Sequence, residues 1–250
     1  MRVIAAPAAT GPARRRAGQC GLTLVELMVG ITIGLFVVAA ATMLVTTQLG
    51  DNRRLLLETQ LQQDLRAAAD IIVREVRRAG HWAGAELHVW VPSGAVGHVE
   101  LESNPFAEVA PTAAAAGEVG FRYMRRPGEE GPFGFRRLEI ATAAGASLGV
   151  IQTRLAGGGW QDLTDRNVVD VRRFVVTPRH GPAQRVACAN ECPGGGTACW
   201  PTLTVREFDI EIAVRAIADP LLERSLNTVV RLRNDELGFH TGVARRSCPQ

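Results

Sequence analysis

Gly21 and Glu26 lie at the edge of a long apolar segment, and their types and spacing could carry chemistry. Gly21 is a small residue of the kind that suits a cleavage site, and it directly precedes Leu22, where the apolar segment begins. From Leu22 to Gly50 the one ionisable side chain is that of Glu26. A secretory signal keeps its apolar stretch before the cleavage site and loses it. The order found here instead predicts a basic leader that is removed and an apolar helix that is kept.

Cysteines late in the chain form a second chemically active group. Cys20 would be lost with the leader, whereas Cys188, Cys192, Cys199 and Cys248 would remain. Four cysteines allow three pairings, and two disulfides are expected in an oxidising compartment. A metal site is the alternative, because three of these cysteines are clustered, but their spacing lacks the paired C-x2-C arrangement. Cys20 does not fit a lipoprotein signal, because its apolar stretch follows the cysteine.

The remaining polar residues predict no catalytic site, no metal site and no cofactor. The five histidines are scattered, and the Gly-x-Ser-x-Gly elbow of hydrolases is absent from the sequence. Asp162, Asp165 and Asp170 could contribute to a calcium site in a loop, although a solvated acidic surface is the commoner arrangement. His81, Trp82 and Trp90 are expected to pack where a helix meets a sheet. We therefore expect that this protein is not an enzyme.

The charge of the chain indicates targeting rather than nucleic-acid binding. The formal net charge is +3, and every basic residue is an arginine. Four arginines lie in the predicted leader (residues 1–21), namely Arg2, Arg14, Arg15 and Arg16, and their removal would leave the processed chain near −1. We infer no nucleic-acid partner from this balance. The arginines before the apolar segment favour a cytoplasmic N-terminus.

One long helix is expected to position these residues. Residues 22–50 are long enough to span a bilayer. The segment 51–80 continues with apolar residues every three or four positions, from Leu57 to Val76, which indicates an amphipathic helix with one apolar stripe. Gly80 is a suitable C-cap, so the pattern predicts a single helix over about 24–79. The alternative is two helices broken near Gly50.

Residues 81–250 have the composition of a β-rich domain. Short β-prone runs alternate with turn residues, and Phe208 to Arg215 alternate apolar and polar side chains. The predicted strands are Glu86–Val91, Glu118–Met124, Phe135–Thr142, Leu148–Arg154, Val168–Thr177, Leu203–Ala216 and Leu226–Arg233. Because the apolar stripe of the helix needs a sheet to cover it, the expected class is α+β, with a long N-terminal helix packed on an antiparallel sheet that has long loops.

The N-terminal residues carry a family resemblance. Gly21 followed by Leu-Thr-Leu-Val-Glu-Leu resembles the prepilin motif of type IV pilins and type II secretion pseudopilins. The resemblance implies that prepilin peptidase cuts between Gly21 and Leu22 and methylates the Leu22 amine. It also implies a pilin fold, and a role for Glu26 in pairing with a neighbouring subunit's amine. The segments 77–84 and 228–234 are similar to minor pilins of the PilW type.

The resemblance further implies partners and a location. The partners would be prepilin peptidase, other minor and major pilins, a PilY-type tip adhesin and, before assembly, inner-membrane lipid. The protein would cross the inner membrane once and then enter a pilus that passes through the periplasm to the cell surface, where minor pilins prime assembly and sit near the tip. Gly30 and Gly34 form a G-x-x-x-G pair, which provides either a helix contact face or local flexibility.

Two other functions are compatible with the sequence. A J-type pseudopilin of a type II secretion system would share the same N-terminal chemistry and differ in its partners. An uncleaved, membrane-anchored periplasmic binding protein or enzyme would keep the leader. The first residue of the mature protein would distinguish this anchored protein from a pilin, because only the pilin loses its leader.

Overall fold

The computed structural model describes residues 21–83, 104–141, 145–188 and 190–238. The chain divides into two compact units, a first unit that ends at Arg54 and a second unit that begins at Leu55, and one helix contributes to both. The predicted strand Glu86–Val91, together with Trp90 and Cys248, lies outside the described residues.

Helix α1 spans Leu24–Arg77 and has 54 residues. It confirms the prediction of one helix over about 24–79, and no break occurs at Gly50. Proline, which would remove a helical hydrogen bond, is absent from this stretch. In the second unit the buried helix residues recur every three or four positions, which confirms the apolar stripe: Leu61, Leu65, Ala68, Ala69, Ile72 and Val76.

Eleven strands follow the helix within the described residues. They are β1 (Val109–Ala110), β2 (Glu118–Phe121), β3 (Phe133–Ala141), β4 (Ser147–Arg154), β5 (Trp160–Asp162), β6 (Val169–His180), β7 (Gln184–Arg185), β8 (Thr202–Thr204), β9 (Arg206–Ala216), β10 (Glu223–Arg231) and β11 (Glu236–Gly238). Every pair is antiparallel, and the strands form three sheets in the orders β1-β2-β3-β4-β5, β10-β9-β6 and β11-β8-β7. The predicted α+β class is therefore confirmed, with three sheets in place of one.

Strand β9 lies at the centre of its sheet and carries a regular burial pattern. Every second residue from Arg206 to Ala216 is buried, as the alternation in the sequence predicts. The side chains of Phe208, Ile210 and Ile212 join the helix stripe in one core. Strand β10 also alternates, with every second residue exposed and those between half-buried or buried, as at exposed Val229 and buried Val230.

The sequence pattern did not predict the shortest strands or one change of sheet. Strands β1, β5, β7 and β11 have only two or three residues, too few to show an alternating pattern in the sequence. The predicted strand Leu203–Ala216 is two strands of different sheets. The change occurs at Val205, whose carbonyl accepts a hydrogen bond from the amide of Gly181.

A buried carboxylate joins two of the sheets. Asp170 of β6 is 2% exposed, and its Oδ1 accepts a hydrogen bond of 2.9 Å from the amide of Gly149 in β4. Its Oδ2 lies 2.6 Å from the guanidinium of Arg215. At Gly149 the strands are so close that a Cβ would lie 2.0 Å from the carbonyl oxygen of Val171. Burial alone would raise the pKa of Asp170, but the Gly149 amide and the arginines outweigh it and lower that pKa.

The C-terminal end of α1 is held by residues from distant parts of the chain. Gly80 has a φ of +76°, the left-handed conformation that favours glycine after a helix, as predicted for a C-cap. The side-chain amide of Asn104 donates to the Gly80 carbonyl at 2.7 Å, and that of Asn234 donates to the Ala79 carbonyl at 3.1 Å. The amide of Arg233 donates to the Arg77 carbonyl at 3.1 Å. Carbonyls that lack helical partners are therefore satisfied here.

Replacement of Asn234 by alanine should lower the free energy of unfolding by about 1–3 kcal/mol, because the part-buried Ala79 carbonyl loses its donor. The matched control is Asn227→Ala in the exposed part of β10, where the effect should be under about 0.5 kcal/mol. Both values are measured by denaturant unfolding of the full chain in detergent. Equal stabilities of the two variants would contradict this account of the helix end.

Replacement of Asp170 by asparagine should lower the free energy of unfolding by about 2–4 kcal/mol near neutral pH, because the arginines lose a buried anionic partner. The folded-state pKa of Asp170 lies below its unfolded value, so this stabilisation is present above the unfolded pKa and is lost as pH falls through the folded pKa. The wild type and the variant should therefore converge in acid. Unfolding curves of both across that pH range test this, with the exposed Asp64→Asn as control. A difference that stays constant with pH would contradict it.

Candidate functional site

The peptide bond between Gly21 and Leu22 lies before the helix. Residues 21–23 precede α1, they are exposed, and Leu22 has 74% of its surface accessible. A Cβ added at Gly21 would meet no atom within 4 Å. The described part of the chain therefore leaves this bond accessible to a peptidase, and its packing does not itself require a glycine at position 21.

Thr23 and Glu26 form a cap at the start of α1. The amide of Glu26 donates to the Thr23 hydroxyl at 3.2 Å, and that hydroxyl lies 3.5 Å from a carboxylate oxygen of Glu26. This is the Thr-x-x-Glu pattern of a capping box, in which residues three apart satisfy free groups at a helix start. The role of Thr23 was not predicted from the sequence, although a threonine three residues before a glutamate is a recognised signal for a helix start. Glu26 is thus held at the helix N-terminus, where a negative charge is favourable.

Glu26, Gly30 and Gly34 lie along one face of α1, because each follows the previous one by four residues. A Cβ at Gly30 or Gly34 would meet no atom within 4 Å. The two glycines therefore leave a shallow, open strip next to the one carboxylate of this segment. Such a strip allows the backbone of another helix to approach closely.

The first unit exposes apolar surface on every side. Leu24, Phe36 and Met43 each have 74% or more of their surface accessible. The segment's threonines turn their hydroxyls to carbonyls of the preceding turn, as at Thr42, which donates to Val38 at 2.7 Å. These local bonds reduce the cost of placing hydroxyls in an apolar environment. By length and composition α1 could cross a membrane.

One disulfide pairing is visible. Cys192 is bonded to Cys199, and the loop between them contains the three glycines 194–196, all with positive φ. Two cysteines in a disulfide cannot serve as thiolate ligands, so this pairing argues against the alternative of a metal site that uses Cys192 and Cys199. Cys188 is also disulfide-bonded, and its partner does not lie among the described residues. Cys248, the fourth predicted disulfide cysteine, lies outside them as well.

The other singled-out residues have structural partners. Asp162 binds Gln152 and Arg166, Asp165 binds the amide of Asn167, and Asp170 is buried, so the expectation of a solvated acidic surface is wrong for Asp170. His81 is exposed, which contradicts its predicted packing, although its carbonyl accepts a hydrogen bond from Met124. Among the described residues no group of three His, Cys, Asp or Glu side chains could hold a metal.

Two family profiles match the chain. The profile described as "Prepilin peptidase-dependent protein B" matches residues 54–232, and the profile described as "Prokaryotic N-terminal methylation motif" matches residues 16–42. The second match contains Gly21, Leu22 and Glu26. No curated protein and no solved structure gave a significant match. The first profile covers most of the second unit, and the second covers the cleavage region and the adjoining helix.

Proposed function

Because this chain belongs to the prepilin peptidase-dependent protein B family, we propose that it is a minor pilin precursor. Prepilin peptidase cleaves it between Gly21 and Leu22, and the processed protein enters a type IV pilus, where it primes assembly and forms part of the tip. One observation supports this most directly. An accessible Gly21–Leu22 bond lies immediately before a capped helix, and the segment of that helix up to Gly50 is apolar on all sides and carries a single carboxylate.

Cleavage would change the charge at the helix start. In the precursor the Leu22 nitrogen is part of a peptide bond, and the Glu26 carboxylate faces the hydroxyl of Thr23. Hydrolysis converts that nitrogen into a positively charged amine, and methylation leaves it basic. Each processed subunit then carries one cation and one anion at the edge of its apolar segment. In a filament, Glu26 of one subunit pairs with the Leu22 amine of a neighbour, which fixes the axial register of the two helices.

Assembly would move the helix from lipid into a bundle of similar helices. Both environments are apolar, so the hydrophobic effect contributes little to the exchange. Close packing at Gly30 and Gly34 and the charge pair at Glu26 therefore supply the specificity. A lone carboxylate in the apolar region costs about 3 kcal/mol near the membrane centre and less at its edge, so pairing stabilises the assembled state.

The second unit would act outside the inner membrane by contact rather than catalysis. Its disulfide loop and its sheets present the surfaces that meet other minor pilins or a PilY-type tip adhesin. Before assembly the subunit is held in the inner membrane by the apolar segment, with its N-terminus in the cytoplasm. The J-type pseudopilin remains the second candidate, because the matched N-terminal motif is the same in the two classes.

Mass analysis of the N-terminus tests the processing step. In cells that contain prepilin peptidase, the recovered chain should begin at methylated Leu22, and in cells without it the leader should remain. A chain that keeps its leader in both strains would contradict the proposal and support a membrane-anchored protein. Co-purification with pilus subunits, rather than with secretion components, separates a minor pilin from a pseudopilin.

Replacement of Glu26 by leucine should leave cleavage intact and reduce incorporation into sheared filaments by about tenfold or more, because the register-setting charge is lost. The matched control is Thr32→Val, which removes a polar group that bonds only to the Val29 carbonyl of its own helix. Immunoblots of filament and membrane fractions measure both variants. Incorporation of the leucine variant at the wild-type level would refute this role for Glu26.

A further inference from the structure

Four arginines surround a depression on the surface of the second unit. Arg74 and Arg77 belong to the last turn of α1, Arg78 follows that helix directly, and Arg233 follows β10. The depression has a volume of about 560 Å³, and the two other residues that line it are Asp70 and Val73. We call this surface the arginine cleft, defined by its four arginines. It carries four positive charges and one negative charge.

The backbone fixes the position of Arg233 beside the helix. Its amide donates a hydrogen bond of 3.1 Å to the Arg77 carbonyl, and the neighbouring Asn234 side chain bonds to the Ala79 carbonyl. These are the contacts that also close the end of α1. The fold therefore places Arg233 beside the arginines of the helix end, and this position does not depend on side-chain flexibility alone.

Within the described part of the chain, three of these guanidinium groups have no ionic partner. Arg78 pairs with Glu75 at 2.9 Å, but Arg74, Arg77 and Arg233 form no ion pair with any residue that the structure describes. Arginines elsewhere on this unit do find carboxylates. Examples are Arg126 with Glu129, Arg179 with Asp209, and Arg231 with Asp235.

Helix electrostatics explain only part of this cluster. A cation in the last turn of a helix interacts favourably with the helix dipole, which accounts for Arg74 and Arg77. Arg233 is not part of the helix and gains nothing equivalent from its own segment. Its approach to the other arginines brings like charges together within a screening length, which is unfavourable for the isolated subunit.

We propose that the arginine cleft binds carboxylate groups on an acidic surface of a neighbouring pilin subunit. Guanidinium forks pair with carboxylates through two parallel hydrogen bonds, and three unpaired forks could bind a cluster of acidic side chains. The identity of the partner as a pilin depends on the function proposed above. The positive charge and its suitability for carboxylates do not.

The lining favours a protein surface over a nucleic acid. None of the described residues that line the cleft is aromatic, although stacking on aromatic residues is the usual second element of single-strand binding. Asp70 would repel a phosphate backbone, whereas on a protein partner it could face a cation. Val73 adds an apolar contact that phosphates do not use.

The test uses the full chain with two matched double variants. Arg77→Gln with Arg233→Gln removes one charge of the cleft from each element. Arg66→Gln with Arg154→Gln removes two arginines outside the cleft, one from α1 and one from β4, which also form no ion pair among the described residues. Association is measured by co-purification with co-expressed minor and major pilins in detergent, and filament incorporation is measured by shearing. The first variant should associate at least about fivefold more weakly, and the second should match the wild type.

Further measurements separate charge from folding. Arg77→Lys with Arg233→Lys keeps the charge without the guanidinium fork and should restore part of the association, and the wild-type association should weaken as salt is raised. The melting temperature of the glutamine variant should equal that of the control. If the glutamine variant melts lower than the control and the lysine variant does not restore association, the effect is structural and the inference is wrong.

The remaining outcomes are decisive and distinguish the two proposals. Wild-type association of the cleft variant in a protein that is processed and incorporated would overturn the cleft and leave the pilin function intact. Failure of the wild type to be processed or incorporated would overturn the pilin function itself. Retention of a labelled DNA duplex or single strand by the wild type but not the cleft variant, with pilin association unchanged, would overturn the carboxylate partner in favour of phosphate.

Discussion

The apolar surface of the first unit is the constraint on which the rest of this protein depends. From Leu22 to Leu49 the large side chains are exposed, and no described residue of the chain covers them. Uncovered surface of this extent is unfavourable in water, so the segment requires lipid or other helices. The helix satisfies its own backbone and hydroxyl groups, which makes either environment accessible. Membrane anchoring and helix-to-helix assembly would each cover this apolar surface.

The charge of Glu26 marks one end of this otherwise uniform apolar segment, and in the proposed filament it would set the axial register between neighbouring helices. Apolar packing alone would permit helices to slide past one another, because one leucine contact resembles the next. Glu26 breaks that equivalence, and the Thr23 cap places its carboxylate at a defined position at the helix start. In the proposed function, cleavage at Gly21 would supply the opposite charge only once the leader is removed. Processing would then have to precede assembly, because the new amine does not exist before that peptide bond is hydrolysed.

In the second unit, the C-terminal end of α1 both binds distant parts of the chain and shapes a surface. Its free carbonyls accept hydrogen bonds from Asn104, Arg233 and Asn234, which join distant parts of the chain to the last turn. The same closure brings Arg233 to the arginines of the helix and creates the arginine cleft. The segments 77–84 and 228–234, whose residues suggested a PilW-type resemblance, meet at this one place through Arg77, Ala79, Arg233 and Asn234. A structural contact and a candidate recognition surface share these residues.

The sequence by itself determined the helix, its stripe and the cleavage motif, because these depend on local spacing and on the absence of proline. It also determined the inward face of β9, since alternation over eleven residues leaves one register that buries Phe208, Ile210 and Ile212. Only the tertiary structure decided the three-sheet division, the burial of Asp170 against Gly149, the Cys192–Cys199 bond and the position of Arg233. Each of these joins residues far apart in the chain, or chooses among pairings that local preference leaves equal. Their partners are set by packing and by hydrogen bonds that exist only once the chain has folded.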